Sequence, residues 1–239
     1  MPLFKGDVQF FMMYNAQIIL IKIFTVTIGF IPLVKLTVVQ QEQELSSKEI
    51  GDLLRNDFII PDVIYNDPKH RMKVFFEDNG DIYHLNYGNL ITPQQARRQP
   101  NVQWPVEPAA PMEEEVTYTL FCISSDHPSR EETWGHWVHW QHVNIQGCNL
   151  STGHEINQYT GPEPSETSGV HRYVFLVFKE NPHFPVRLNK SDDSDEMRMF
   201  TERRDFNTDN FIRHFNLGIP AWASNFFTSR FEQLPSNKR

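Results

Sequence analysis

VTYTLFCIS, residues 116–124, and VHRYVFLVF, residues 170–178, are the stretches that decide the fold. Both are dense in β-branched and aromatic side chains, which suit a pleated, half-buried surface better than a helix. The same pattern repeats outward from them. Met72–Phe76 (MKVFF) and Tyr83–Tyr87 (YHLNY) are β-type runs separated by Asp78-Asn79-Gly80-Asp81, a tight hairpin signal. Proline and glycine punctuate at Thr92-Pro93, Gln99-Pro100, Trp104-Pro105, Pro108–Pro111 and Gly161-Pro162-Glu163-Pro164. Short strands divided by turn signals predict a mainly β, sheet-dominated domain. Helix is expected at Leu45–Asn56 (LSSKEIGDLLRN), from a Ser cap and the apolar spacing of Ile50, Leu53 and Leu54. A second helix is expected around Asn207–His214, with Phe211 and Phe215 facing inward.

Composition narrows the class. With 39% apolar and 13% aromatic residues over 239 positions, the chain can bury a sizeable core and is not a coil. Twenty-two Lys and Arg against 30 Asp and Glu give a net charge of -8, which argues against binding to a nucleic-acid backbone. Cys122 and Cys148 are too few for a disulfide framework or a cysteine-only zinc site, while a single bridge stays open.

Ala16–Val39 (AQIILIKIFTVTIGFIPLVKLTVV) differs in composition from everything after it, so residues 1–41 form an N-terminal hydrophobic segment and 42–239 the main domain. Its cleanest apolar run, Ile23–Val34, has the length of a signal-peptide core and falls short of the roughly 20 residues that span a bilayer. Snorkelling of Lys22 or Lys35 would extend it into a signal anchor, with membrane contact through residues 16–39. No small-x-small cleavage site follows. The alternatives are a β-rich strand pair or an artefact of the gene model. The segment points to a secreted or membrane-anchored protein, with a cytoplasmic one as the alternative. Asn149-Leu150-Ser151 and Asn189-Lys190-Ser191 match the glycosylation pattern.

The densest chemistry lies in Trp134–Asn144 (WGHWVHWQHVN), where His136, His139 and His142 are spaced by three. A helix would put them on one face, whereas a strand turns His139 away from the other two, and the aromatic density favours a strand. No metal site is expected. Nucleophile elbows and phosphate loops are absent from the sequence, and Cys122 sits mid-strand. A hydrolase using Ser124 and His139 lacks an orienting third residue. No catalytic role is expected. Lys190–Arg204 (KSDDSDEMRMFTERR) is an acidic cluster followed by a basic one, expected as a solvated loop before the last helix. What remains are polar motifs at strand ends, where binding groups belong: Ser124–Arg130 (SSDHPSR) and Ser168–Tyr173 (SGVHRY). His139 and His171, brought together beside Gly161–Pro164, would form an imidazole pair able to donate hydrogen bonds to phosphate oxygens.

At these residues the chain resembles the phosphatidylethanolamine-binding protein family, from about Ile59 to Pro235. Ile60-Pro61-Asp62-Val63 is similar to its VPDV opening, Leu90–Gln95 (LITPQQ) to its LTPxQ, and Gln99–Pro105 (QPNVQWP) to its QPTVxW. SSDHPSR takes the place of DPDAPSR, Trp137-Val138-His139-Trp140 that of WHHF, and Gly169–Tyr173 (GVHRY) that of GxHRY. Asn216–Pro220 (NLGIP) and Asn225-Phe226-Phe227 are similar to its NLGxP and NFF.

The resemblance implies an antiparallel β-sandwich with a few peripheral helices and an anion pocket without cofactor. Its ligand-binding residues would be Asp126, Pro128, Trp137, His139, Gly161, Pro164, His171 and Tyr173, with Ser124 beside them at the position of the family's first Asp. The implied partners are a phospholipid headgroup or phosphate-like ligand, with kinase or serine-protease inhibition as a family property. Three positions depart from the pattern. Ser124 removes a carboxylate that would favour a charged neighbouring His. Glu163 replaces a Gly, adding bulk and negative charge at the pocket. Leu234 replaces a Tyr that borders the pocket in many members. A structural or interaction protein with a weakened pocket is the alternative these departures favour.

Overall fold

A computed structural model describes residues 9–14, 17–28, 31–40, 44–108, 116–189, 191–192 and 194–233, the first three stretches as backbone. Leu234 and residues 109–115 lie outside the described residues. The chain divides into two units, Met1–Glu44 and Leu45–Arg239. In the first unit β1 (Gln9–Tyr14), β2 (Gln17–Ile28) and β3 (Ile31–Gln40) form an antiparallel sheet, with Gln9 opposite Lys22 and Ile19 opposite Gln40. Among the described residues no helix is long and apolar enough to cross a membrane.

The second unit begins with α1 (Ser47–Asn56), capped as its sequence predicts. Ser46 Oγ accepts from the Glu49 amide while Glu49 reaches back to the Ser46 amide, so two otherwise orphaned donors are satisfied. Then follow the short α2 (Ile59–Asp62), β4 (His70–Arg71), β5 (Lys73–Asp78), β6 (Asp81–His84), β7 (Asn101–Gln103), β8 (Thr117–Ser124), β9 (Trp137–Gln146), β10 (His154–Asn157), β11 (Val170–Lys179), α3 (Asp195–Thr201), α4 (Thr208–His214) and β12 (Ala223–Arg230). β5 and β6 close through Asn79-Gly80, both at positive φ (52° and 91°), a conformation these two residue types tolerate best.

The main sheet has the order β10-β9-β8-β11-β12-β4, and β6-β5-β7 form a smaller one. The two strands quoted first are neighbours, antiparallel, with Val174 opposite Ile123 and Lys179 opposite Tyr118. They lack polar alternation because both faces of the main sheet are covered. Phe121, Ile123, Val174, Leu176 and Phe178 pack with Ile50 and Leu54 of α1, Phe200 of α3 and Phe211 and Ile212 of α4. Tyr118, Leu120, Cys122, Tyr173, Phe175 and Val177 pack with Val74 and Phe76 of β5 and with Trp104. Phe121 meets Phe211 edge-on at 5.0 Å between ring centroids on one side, and Phe76 meets Phe227 at 5.4 Å on the other.

A mainly β domain with few helices is therefore present, but the antiparallel sandwich is corrected. The main sheet is mixed, because the two-residue β4 enters parallel beside β12, and its partner sheet has only three strands. Helices take the opposite face. The charge run 190–204 is also more than a solvated loop: Ser194 caps α3 at the Met197 amide, and Phe200 is buried in the core. Cys122 and Cys148 are both free.

Candidate functional site

A cavity of about 280 Å3 opens at one end of the main sheet, lined by Ser124, His127, Trp137, His139, Thr160, Gly161, Glu163, His171, Tyr173 and Arg203. A break in strand register places its first imidazole. Trp140 pairs with Cys122 and Val138 with Ile123, so His139 is an extra residue on β9 with no opposite number on β8. A bulge of this kind re-aims a side chain and bends the strand. It also lets Val138 join the helix-side core while Trp140 joins the other. His139 is 8% exposed, and its Nδ1 donates to the Thr160 carbonyl at 2.9 Å. The Thr160 amide returns a bond to the His139 carbonyl, also at 2.9 Å.

The second imidazole comes from the start of β11. His171 is 6% exposed, and its Nε2 is buried without a hydrogen-bond partner. Tyr173 lies between the two rings, edge-on to His139 at 4.9 Å and roughly parallel to His171 at 6.4 Å, with Phe227 stacked behind it at 4.9 Å. Burial pushes the His139 imidazole down to about 4, opposed by its bond to Thr160 and reinforced by the Arg203 charge. Burial lowers His171 as well, against the pull of Asp126. Gly161 is required where it is: a Cβ there would lie 2.8 Å from the Ala96 carbonyl oxygen.

Not every residue singled out from the sequence reaches this cavity. The structure brings Ser124, Trp137, His139, Gly161, His171 and Tyr173 to its wall. Pro164 is buried away from it, Pro128 bridges to Thr133, and Asp126 faces elsewhere. The Asp126 carboxylate is consumed by Arg172, accepting from its backbone amide (2.7 Å), Nε (2.9 Å) and Nη2 (2.5 Å). Burial would raise that carboxyl, yet the Arg172 hydrogen bonds and charge hold it below the usual range. Arg172 reaches on to the Asp57 carbonyl at 2.7 Å and Asp62 at 3.0 Å. Asp126 is thus a positioning residue for the Ser124–Arg130 loop, not part of the cavity wall.

The three spaced histidines part company. His136 meets Thr208 Oγ1 at 2.7 Å and the Asp62 carbonyl at 3.3 Å, and His142 is buried with neither ring nitrogen bonded.

Arg203, Thr160 and His127 were missed as wall residues. Arg203 reaches the cavity from the turn after α3 and donates through Nη1 to the Val138 carbonyl (2.8 Å) and through Nη2 to the Gln158 carbonyl (2.7 Å). The available signal was Ser194 as a cap with Met197, Phe200 and Thr201 at helical spacing inside the charge run.

The chain belongs to the phosphatidylethanolamine-binding protein family, whose pattern matches residues 75–217. It is 34% identical over 173 residues to the 26 kDa secreted antigen of Toxocara canis, covering 72% of this chain and 61% of the antigen. The chain thus spans about three fifths of that relative's length. Among solved structures, a carboxypeptidase Y inhibitor complexed with its cognate proteinase superposes with a TM-score of 0.60 at 22% identity, covering 76% of this chain and 94% of the inhibitor. A phosphatidylethanolamine-binding protein from Plasmodium vivax does so with 0.60 at 20% identity, covering 79% and 99%. These two likenesses establish the fold.

Proposed function

We propose that this chain is a non-enzymatic binding protein that captures a small phosphate-bearing anion, a phospholipid headgroup or a phosphate-like group, in the cavity between His139 and His171. The observation that carries the proposal is the meeting of these two rings, thirty-two positions apart in the chain, on one wall beside the Arg203 cation. A cavity of about 280 Å3 suits a headgroup better than an acyl chain. Its chemistry favours holding over cleaving. Ser124 Oγ is engaged by the Asp126 amide at 3.2 Å, and His139 Nδ1 faces a carbonyl where a hydrolytic base would have a carboxylate.

In this reading the protein is secreted or membrane-anchored, which the similarity to a secreted antigen and the apolar run 16–39 support. The inhibitor among its fold neighbours adds a protease as candidate partner. A kinase partner rests on the family resemblance alone. The second reading is a scaffold with a weakened pocket, favoured by Ser124 and by the Glu163 carboxylate on the cavity wall. Titration with glycerophosphoethanolamine while following the imidazole resonances of His139 and His171 separates the two. Anion capture shifts both rings at millimolar ligand or below, and a flat response in both overturns it in favour of the scaffold.

A further inference from the structure

β9 runs on past the end of its outer neighbour. β10 stops at Asn157, which pairs with Gln141, so among the described residues no strand lies along the outer edge of β9 at Val138 and His139. The bulge leaves both of these carbonyls accepting on that open edge, at residues that are buried, where a backbone acceptor without a partner is costly. Arg203 fills the gap as a strand would. Its own carbonyl accepts the Val138 amide at 2.8 Å, and its Nη1 donates back to the Val138 carbonyl at 2.8 Å and to the His139 carbonyl at 3.2 Å.

The same guanidinium reaches across to the segment after β10. Nη2 donates to the Gln158 carbonyl at 2.7 Å, and Nη1 also approaches Thr160 Oγ1 at 3.3 Å. That segment carries the Thr160 carbonyl to which His139 Nδ1 donates. A carbonyl only accepts, so this bond fixes both the orientation of the His139 ring and its Nδ1–H tautomer. Three stretches distant in sequence, at 138–139, 158–160 and 203, are thus tied by one planar fork.

Resting on the anion-capture reading, we propose that Arg203 is a positioning residue of the pocket: its fork clasps the β9 bulge to the Thr160 segment and so sets His139 on the cavity wall, by geometry more than by charge. Lysine carries the same charge as a compact ammonium on a flexible stem and has no planar fork to tie the Val138 and Gln158 carbonyls together. The turn itself stays docked without the guanidinium. The Phe200 carbonyl accepts from Gln141 Nε2 at 3.0 Å and the Thr201 carbonyl from Asn157 Nδ2 at 2.9 Å.

Arg203→Lys and Arg203→Met separate placement from charge. Nitrogen-15 NMR of the ligand-free full chain at neutral pH reads the His139 tautomer, and titration with glycerophosphoethanolamine reads affinity. We expect His139 to be the Nδ1–H tautomer in the wild type, to lose that single tautomer in both variants, and binding to weaken about tenfold or more in both. His171 should keep its wild-type ring signals in free Arg203→Lys. A His139 tautomer unmoved in both variants overturns the proposal whatever the affinity. Binding retained in Arg203→Lys within about threefold, but lost in Arg203→Met, overturns it too and makes Arg203 a direct charge contact. If the variants fail to fold, the wild type decides: the Arg203 guanidinium protons should exchange slowly and hold their positions as glycerophosphoethanolamine is added, and a shift as large as that of the rings overturns the placement role. Silence of both rings in the wild-type titration overturns the capture reading, and the ligand-free tautomer then judges the clasp alone.

Discussion

His171 and Arg172 are one peptide bond apart on β11 and end in opposite situations. Strand alternation sends Arg172 toward α1 and α2, where its guanidinium meets Asp126, Asp62, Ser125 and the Asp57 carbonyl. It sends His171 to the cavity, where Nε2 has no partner at all. Both side chains are buried, so solvent does not explain the difference. A charge removed from water must be paired, and Arg172 pairs several times over. A neutral imidazole costs far less to leave unsatisfied. The saturated cluster fixes the loop that carries Ser124 and His127, and the unsaturated one is left available beside it.

The largest way to break this comparison is to unpair the saturated side. Arg172→Met leaves Asp126 as a buried, uncompensated carboxylate and should cost about 3–5 kcal/mol, read from urea unfolding. A loss under about 1 kcal/mol would mean that Asp126 finds other donors and the cluster is not the anchor described here.

Acid separates the two sides without mutation. His139 titrates at about 4 in the folded protein and near 6.5 when unfolded, so between these values the unfolded chain binds the extra proton. Stability of the ligand-free protein should therefore fall as pH drops from about 6.5 to about 4, by on the order of 3 kcal/mol from this ring. The Asp126 carboxyl, held below its ordinary value, stabilises the fold above its unfolded pKa. That contribution is lost only at lower pH, as pH falls through the folded value. Urea midpoints at several pH values should show two successive losses. His139→Gln should reduce the first, to which the lowered His171 also contributes, and leave the second.

Much of this arrangement was legible in the sequence. The capping box of α1, the Asn79-Gly80 hairpin and the strands β8 and β11 follow from local rules, and those rules held. The convergence of His139 and His171 came from the family resemblance and from strand ends, both carried by backbone placement. The failures share one cause, which is that a side chain's partner lies far away in sequence. Asp126 looked like a pocket carboxylate because nothing local reveals that Arg172, 46 positions on, consumes it. Arg203 looked like solvated charge because α3 gains its order only when Phe200 enters a core built by other elements. The bulge at His139 is a register shift between two strands, which neither strand's own sequence announces. The doubly covered main sheet was concealed in the same way, since uninterrupted apolar runs do not say what covers them.

The smallest effect tests the comparison most finely, through Ser124→Asp, which restores the carboxylate that the family resemblance leads one to expect. Ser124 Oγ now accepts the Asp126 amide, and a carboxylate at this position can accept the same bond, so the loop has no reason to move. The new charge lines the same cavity as both imidazoles and should raise their pKa by about one unit or more, if it lies within the few ångströms over which opposite charges act strongly. The rings would then hold part of a proton before any ligand arrives. Affinity should change less than tenfold, because the carboxylate that favours imidazolium also repels the anion. Imidazole titrations by NMR read the first effect, and titration with glycerophosphoethanolamine reads the second. An unmoved ring titration would show that position 124 does not address the imidazoles.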